Sequence, residues 1–249
     1  MTVATDQGTR PHQEDRWVQA WIDLPLSPGW LLAIFDGHRG AATADKASAA
    51  LPDLFRSQLQ LNQGNAPEGF RETFSALHRL TRTDVSGSTA SAVFVPAVAQ
   101  QATWAILGDS PIVMMNPSGA LHISLGHNVR TNLQERAEAE RRGGVYRAGY
   151  LEDRERPGIG LQMARSLGDA DLARVLKREP DIGTISLGRP GIVLVGSDGL
   201  LGPGDVCAED QMTRLAAMIR DGADAQALVG DALRRRSGDN VTAIVWRLD

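Results

Sequence analysis

Four aspartates stand at the ends of apolar runs. Asp36 closes Leu31-Leu32-Ala33-Ile34-Phe35, Asp109 closes Ala105-Ile106-Leu107-Gly108, Asp198 follows Ile192-Val193-Leu194-Val195-Gly196-Ser197, and Asp239 opens Val241 to Trp246. Taken singly, Asp-Gly and Gly-Asp pairs are ordinary turn residues. Asp36-Gly37 fits that account least, because the stretch that follows, from Ala41, has helical spacing rather than that of a second strand. If strand ends deliver all four carboxylates to one rim, their repulsion is severe unless cations lie between them. An all-oxygen donor set selects hard ions, Mg²⁺ or Mn²⁺, over Zn²⁺. Two such ions side by side suit in-line displacement at phosphorus by a water activated between them, so hydrolysis of a phosphate ester is the chemistry that fits. The stretch Gly8-Thr9-Arg10-Pro11-His12-Gln13-Glu14-Asp15 adds two acids and an arginine. Standing alone it also reads as a solvated polar loop, but a guanidinium fork matches phosphate oxygens.

The elements that must position these residues follow from periodicity. Short apolar runs at Trp30 to Phe35, Ala90 to Val95, Ala102 to Leu107, Ile112 to Met115, Ile192 to Val195 and Val241 to Trp246 predict buried strands. Helical spacing covers Ala41 to Leu61, Pro67 to Thr83, Leu133 to Arg142, Gln211 to Arg220 and Ala225 to Arg236, with Met212, Leu215, Ala216 and Ile219 on one face of the fourth. Two early strands, two helices and then strands in hairpin-like succession break βαβ alternation, which favours an α+β layered architecture with antiparallel sheets. The charged, aperiodic stretch from about Gly143 to Gly160 reads as an exposed flap.

With 249 residues, 42% of them apolar, the chain holds enough to bury one large core, so a single domain over 1–249 is expected. A net charge of −4 disfavours nucleic-acid or membrane-surface partners, which need a Lys/Arg surplus. One cysteine, Cys207, excludes internal disulfides and thiolate zinc sites, and points to a reducing compartment. The segment Met1 to Asp6 has no signal-peptide pattern, and no run approaches about 18 uninterrupted apolar residues, so a cytoplasmic monomer is expected.

Seven motifs in order resemble the metal-dependent Ser/Thr protein phosphatases of the 2C type, the PPM family, over essentially the whole chain. They are Gly8-Thr9-Arg10 through Glu14-Asp15, Asp36-Gly37-His38-Arg39-Gly40, Gly87-Ser88-Thr89-Ala90, Gly108-Asp109-Ser110, Ala164-Arg165-Ser166-Leu167-Gly168-Asp169, Ser197-Asp198-Gly199 and Gly238-Asp239-Asn240. The resemblance implies a four-layer α-β-β-α sandwich, two stacked antiparallel sheets flanked by helices; the flap is expected within about 126–160 of this single domain. It implies two Mg²⁺ or Mn²⁺ ions, a weak third, and a phosphorylated protein as substrate. Asp36 would bridge the two ions, Glu14 and the Gly37 carbonyl would complete one site, and Asp198 and Asp239 would hold the other. Asp109 would belong to the third site, Arg10 would grip the phosphate and Asp15 would orient water. His38 would protonate the leaving oxygen, although a lone histidine is often a structural hydrogen-bonder. For His12, His78, His122 and His127 the surface or structural reading is preferred.

The sequence departs from the family's pattern in three places. After Asp198-Gly199 comes Leu200-Leu201-Gly202, so the acid expected at Gly202 is missing, which puts the third site in doubt unless Asp205 substitutes. Gly126-His127-Asn128-Val129 stands where an Asp-His-Lys-Pro element is usual. Arg39 replaces the first glycine after His38, and reads either as an added phosphate-binding cation or as a solvent-facing side chain. Two rivals remain: a pseudophosphatase that only binds phosphoproteins, against which the intact Arg10, Glu14, Asp36, Asp198 and Asp239 speak, and another two-metal hydrolase such as a nuclease, which lacks a basic stripe here.

Overall fold

A computed structural model describes residues 1–98, 101–124, 126–202 and 208–248. The chain opens with β1 (Thr2–Asp6), β2 (Arg16–Ile22), β3 (Gly29–Phe35) and the short β4 (Gly37–His38), then α1 (Ala42–Leu61) and α2 (Ala66–Thr81). There follow β5 (Gly87–Ser88), β6 (Ala90–Pro96), β7 (Gln101–Leu107), β8 (Ile112–Met115) and β9 (Leu121–Ile123). Next come α3 (Leu133–Arg141), β10 (Gly144–Arg147), β11 (Tyr150–Asp153), β12 (Arg156–Leu161) and β13 (Leu167–Gly168). The chain finishes with β14 (Asp181–Ser186), β15 (Gly191–Gly196), α4 (Ala208–Arg220), α5 (Ala225–Arg234) and β16 (Val241–Leu248).

Two five-stranded antiparallel sheets, ordered β1-β16-β15-β8-β9 and β14-β7-β6-β3-β2, carry the molecule. Their strands alternate side chains between two buried faces, as period-2 geometry requires. Leu32, Ile34, Val93 and Ile106 from one sheet meet Ile112, Met114, Val193, Val195 and Ile244 from the other between the layers. The opposite face of the sheet that contains β3, with Leu31, Ala33 and Phe35, packs on Leu51, Phe55 and Leu59 of α1 and Phe70, Phe74 and Leu77 of α2. The sheet that contains β15 and β16 turns Leu194, Ala243 and Val245 toward Leu215, Ala216 and Ile219 of α4 and Leu228 of α5. Helices, sheet, sheet and helices make the four layers expected.

Helix starts follow local chemistry. Asn65 caps α2 by accepting from Glu68 N–H, Asn132 caps α3 through Glu135 N–H, and Asp224 caps α5 through Ala227 N–H. The stretch expected as an exposed flap is built: β10, β11 and β12 form a small antiparallel sheet beside α3. Leu151, Leu161, Val129 and Ala139 pack with Leu172, Val175 and Leu176 in a separate small core. Asp205 and Cys207 lie outside the described residues.

Candidate active site

The cleft at the ends of the central strands has a volume of about 470 Å³ and is lined by Arg10, Glu14, Asp36, Gly37, His38, Asp109, Asp198 and Asp239, with Tyr150, Gln162 and Met163 from the flap side. Sheet topology explains the convergence. Asp36 leaves the end of β3, Asp198 follows β15, Asp109 follows β7 and Asp239 precedes β16. The amino-terminal loop is brought to the same place by Asn240, whose side chain accepts Glu14 N–H at 2.8 Å and donates to the carbonyls of Gln7 and His12, each at 2.9 Å. Gly8 makes that approach possible: at φ 60°, a Cβ there would lie 2.1 Å from the Asp239 carbonyl.

Arg10 Nη2 donates to Asp239 Oδ2 at 2.7 Å, with more than half of the arginine side chain exposed. Glu14 Oε1 accepts from Gly40 N–H at 2.8 Å. Asp15 stands behind the rim, buried, and accepts from Thr242 Oγ1 at 2.7 Å; burial pushes its carboxyl up to about 6. Burial also raises Asp36 well above the usual carboxylate range, with Asp15, Asp198, Asp109 and Asp239 adding repulsion. Asp198 is pushed up to about 8 by burial, then by Asp109 and Asp239. Asp109, raised by burial, has Oδ2 held by Asn128 Nδ2 at 2.8 Å.

The donor chemistry fits divalent cations. Asp15 Oδ1 and Asp109 Oδ1 are buried with no hydrogen-bond partner, a costly state that a cation relieves. Among the described residues no three acidic, His or Cys side chains close around one point. The acids thus form an open rim rather than a closed cage.

Three motifs without an assigned chemistry turn out to hold the cleft. Thr89 brackets Asp36: its Oγ1 accepts from Asp36 N–H at 3.0 Å, while Thr89 N–H donates to the Asp36 carbonyl at 2.9 Å. The Gly126-His127-Asn128-Val129 departure is accommodated locally. Asn128 bonds Asp109, and Val129 N–H donates to the Gln162 carbonyl at 2.7 Å, a bond proline could not make. His127 is buried, with Nδ1 accepting from Gly108 N–H at 3.0 Å and Nε2 3.1 Å from Asp181, in keeping with its structural reading. Arg39 is exposed, in line with the solvent-facing reading, but its guanidinium is held: it pairs with Asp171 at 2.6 Å and lies 3.5 Å from Asp169. Asp169 itself, bonded to His38, was legible only as part of a motif.

Stacked sheets with an acid-rimmed cleft at one end and a guanidinium at its mouth are the arrangement of a phosphoric-ester hydrolase. The protein phosphatase 2C family model matches residues 7–241. An Arabidopsis thaliana protein kinase and PP2C-like domain-containing protein is 32% identical over 86% of this chain, which spans 34% of that protein's length. Protein phosphatase 1L of Bos taurus is 29% identical over 98% of this chain and 71% of its own. The fold is shared with serine-threonine phosphatase 2C from Toxoplasma gondii, with a TM-score of 0.78, 21% identity, and coverage of 99% and 94% of the two chains. The chain belongs to the protein phosphatase 2C family, a family of phosphoprotein phosphatases.

Proposed function

We propose that the protein hydrolyses phosphoserine and phosphothreonine in protein substrates, using two Mg²⁺ or Mn²⁺ ions. The convergence of Glu14, Asp36, Asp198 and Asp239 with Arg10 on one cleft carries this reading. Glu14, Asp36, the Gly37 carbonyl, Asp198 and Asp239 would hold the two ions, and Asp109 would belong to a weaker third site. When bound, the ions supply positive field for the phosphate and acidify water. Arg10 exchanges its Asp239 partner for two phosphate oxygens, a swap its exposure permits. Asp15, fixed from behind by Thr242, orients the attacking water. His38 gives a proton to the departing serine or threonine oxygen.

The experiment is hydrolysis of p-nitrophenyl phosphate and of a phosphothreonine peptide, with and without Mn²⁺. Activity should require the ion and vanish with chelator. Asp36→Asn should reduce turnover to background while raising the melting temperature of the metal-free protein, because one of the mutually repelling buried carboxyls is gone. Full turnover in excess chelator, or near-normal rates in Asp36→Asn, would overturn the two-ion reading. A folded protein that binds the phosphopeptide without turnover would establish the pseudophosphatase instead.

A further inference from the structure

His38 enters the cleft with one ring nitrogen committed. Its Nε2 lies 2.8 Å from Oδ2 of Asp169, whose side chain has no solvent exposure. The same oxygen accepts from Ser166 Oγ at 2.6 Å, and Arg39 Nη1 stands 3.5 Å from the other. Asp169 sits at φ 48°, a left-handed conformation that non-glycine residues adopt only when their surroundings demand it. Here they do. Its N–H donates to the Ser86 carbonyl at 3.0 Å, and its carbonyl accepts from Leu172 N–H at 3.0 Å and from Arg178 Nη2 at 3.4 Å. The pair also needs an opening in β5: a Cβ on Gly87 would lie 2.0 Å from Asp169 Oδ2 and 2.2 Å from His38 Nε2. The site is thus shaped around a contact between His38 and an acid that does not line the cleft.

We propose that Asp169 is the positioning residue of His38, fixing which nitrogen faces the substrate; this rests on the reading of His38 as the general acid. A carboxylate can only accept, so Nε2 carries the hydrogen of this bond. Nδ1, without a hydrogen-bond partner among the described residues, is the nitrogen left to serve the leaving group. As the ester P–O bond breaks, its electron pair goes to the threonine oxygen and the proton on Nδ1 moves to that oxygen. Water supplies the oxygen that replaces it on phosphorus, keeping one proton in the phosphate product and releasing the other to solvent. The ring is left neutral, with Nε2–H still donated to Asp169, so the orientation survives the proton transfer until Nδ1 is protonated again from solvent.

Two measurements test this. In the unmodified protein, long-range ¹⁵N–¹H correlation, with the His38 signals assigned by their loss in His38→Gln, should show the neutral ring as the Nε2–H tautomer. An Nδ1–H tautomer would overturn the proposal without reference to activity. In kinetics, Asp169→Asn should slow the phosphothreonine peptide roughly 10- to 100-fold. It should slow p-nitrophenyl phosphate less than about threefold, because that leaving group departs without a proton. Mn²⁺ affinity by calorimetry and the peptide KM should stay unchanged, and the variant combined with His38→Ala should be no slower than His38→Ala alone. Equal losses on both substrates, or none on either, would overturn the positioning role. Should Asp169→Asn fail to fold, Ser166→Ala removes one bond to the same oxygen and should give the same leaving-group pattern at smaller amplitude; its absence would count against the proposal. If His38→Ala itself slows both substrates equally, the general-acid reading fails, while the tautomer still reports on the His38–Asp169 bond.

Discussion

Arg10 reaches Asp239 with the same fork it would offer to phosphate, and solvent covers more than half of it. A charge in that position is screened, so its loss belongs at the low end of what a phosphate clamp contributes. Arg10→Ala should lower kcat/KM on the phosphopeptide roughly 10- to 100-fold, as read from initial rates at saturating Mn²⁺. Gly202 lends itself to the opposite test, the addition of a carboxylate. From the sequence, an aspartate there should strengthen binding of an extra divalent ion if the family's third-site geometry survives. The backbone is at φ 83°, and a Cβ would lie 3.6 Å from Arg235 Nη2. The new carboxylate meets a guanidinium rather than the cleft, so Gly202→Asp should add no divalent ion by calorimetry and should cost about 1 kcal/mol of stability. The acids of the rim were legible as a set, four aspartates at the ends of apolar runs in the order of one family's motifs, although each alone reads as a turn residue. The depth of Asp15, the pairing of Arg39 and the partner of His38 were not legible. Each depends on a contact between residues far apart in sequence.

The strands and helices differ in how plainly they show in sequence. Elements buried on one or both faces, such as α1, α2, β3 and β15, carry a strong apolar period and fall close to their expected limits. By contrast β2, with Trp17 and Trp21 half-exposed on an edge, and β14, with mixed polarity, have weak signals. The flap strands are stabilised by a small core that includes residues after β13, which no local window contains. A polar network fastens this region to the main sheets: Asp181 of β14 holds Arg165 at 2.7 Å and His127 at 3.1 Å, and Arg165 also grips buried Glu135 of α3. The His127 hydrogen bond, then Arg165, lowers Asp181 from 3.8 to about 2. A depressed carboxyl stabilises the fold above its unfolded value and loses that contribution as pH falls through the folded one. Between pH 4 and 2 the unmodified protein should therefore lose its advantage over Asp181→Asn in thermal melts. With Asp181 half-exposed, the advantage at pH 5 should stay below about 1 kcal/mol.

At the scale of the molecule, the four layers place the cleft at one end of the sandwich, so that loops from both sheets and from the flap meet over it. This arrangement came from the resemblance of the motifs; periodicity alone reached an α+β layering and no further. The pairing of β1 with β16, Asp6 opposite Val241 and Thr2 opposite Val245, joins the two most distant parts of the sequence in one sheet. Glu14 and Asp15 close the loop that runs from the first of these strands to β2, and Asp239 leads into the second. Contacts so remote in sequence form late, after their loop-closure entropy is overcome. For a chain emerging from the ribosome, β1 therefore waits as an unpaired edge until Val241–Leu248 has been translated. Until then that edge is open to other strands and Asp239 is absent, so the proposed ion site is incomplete as well.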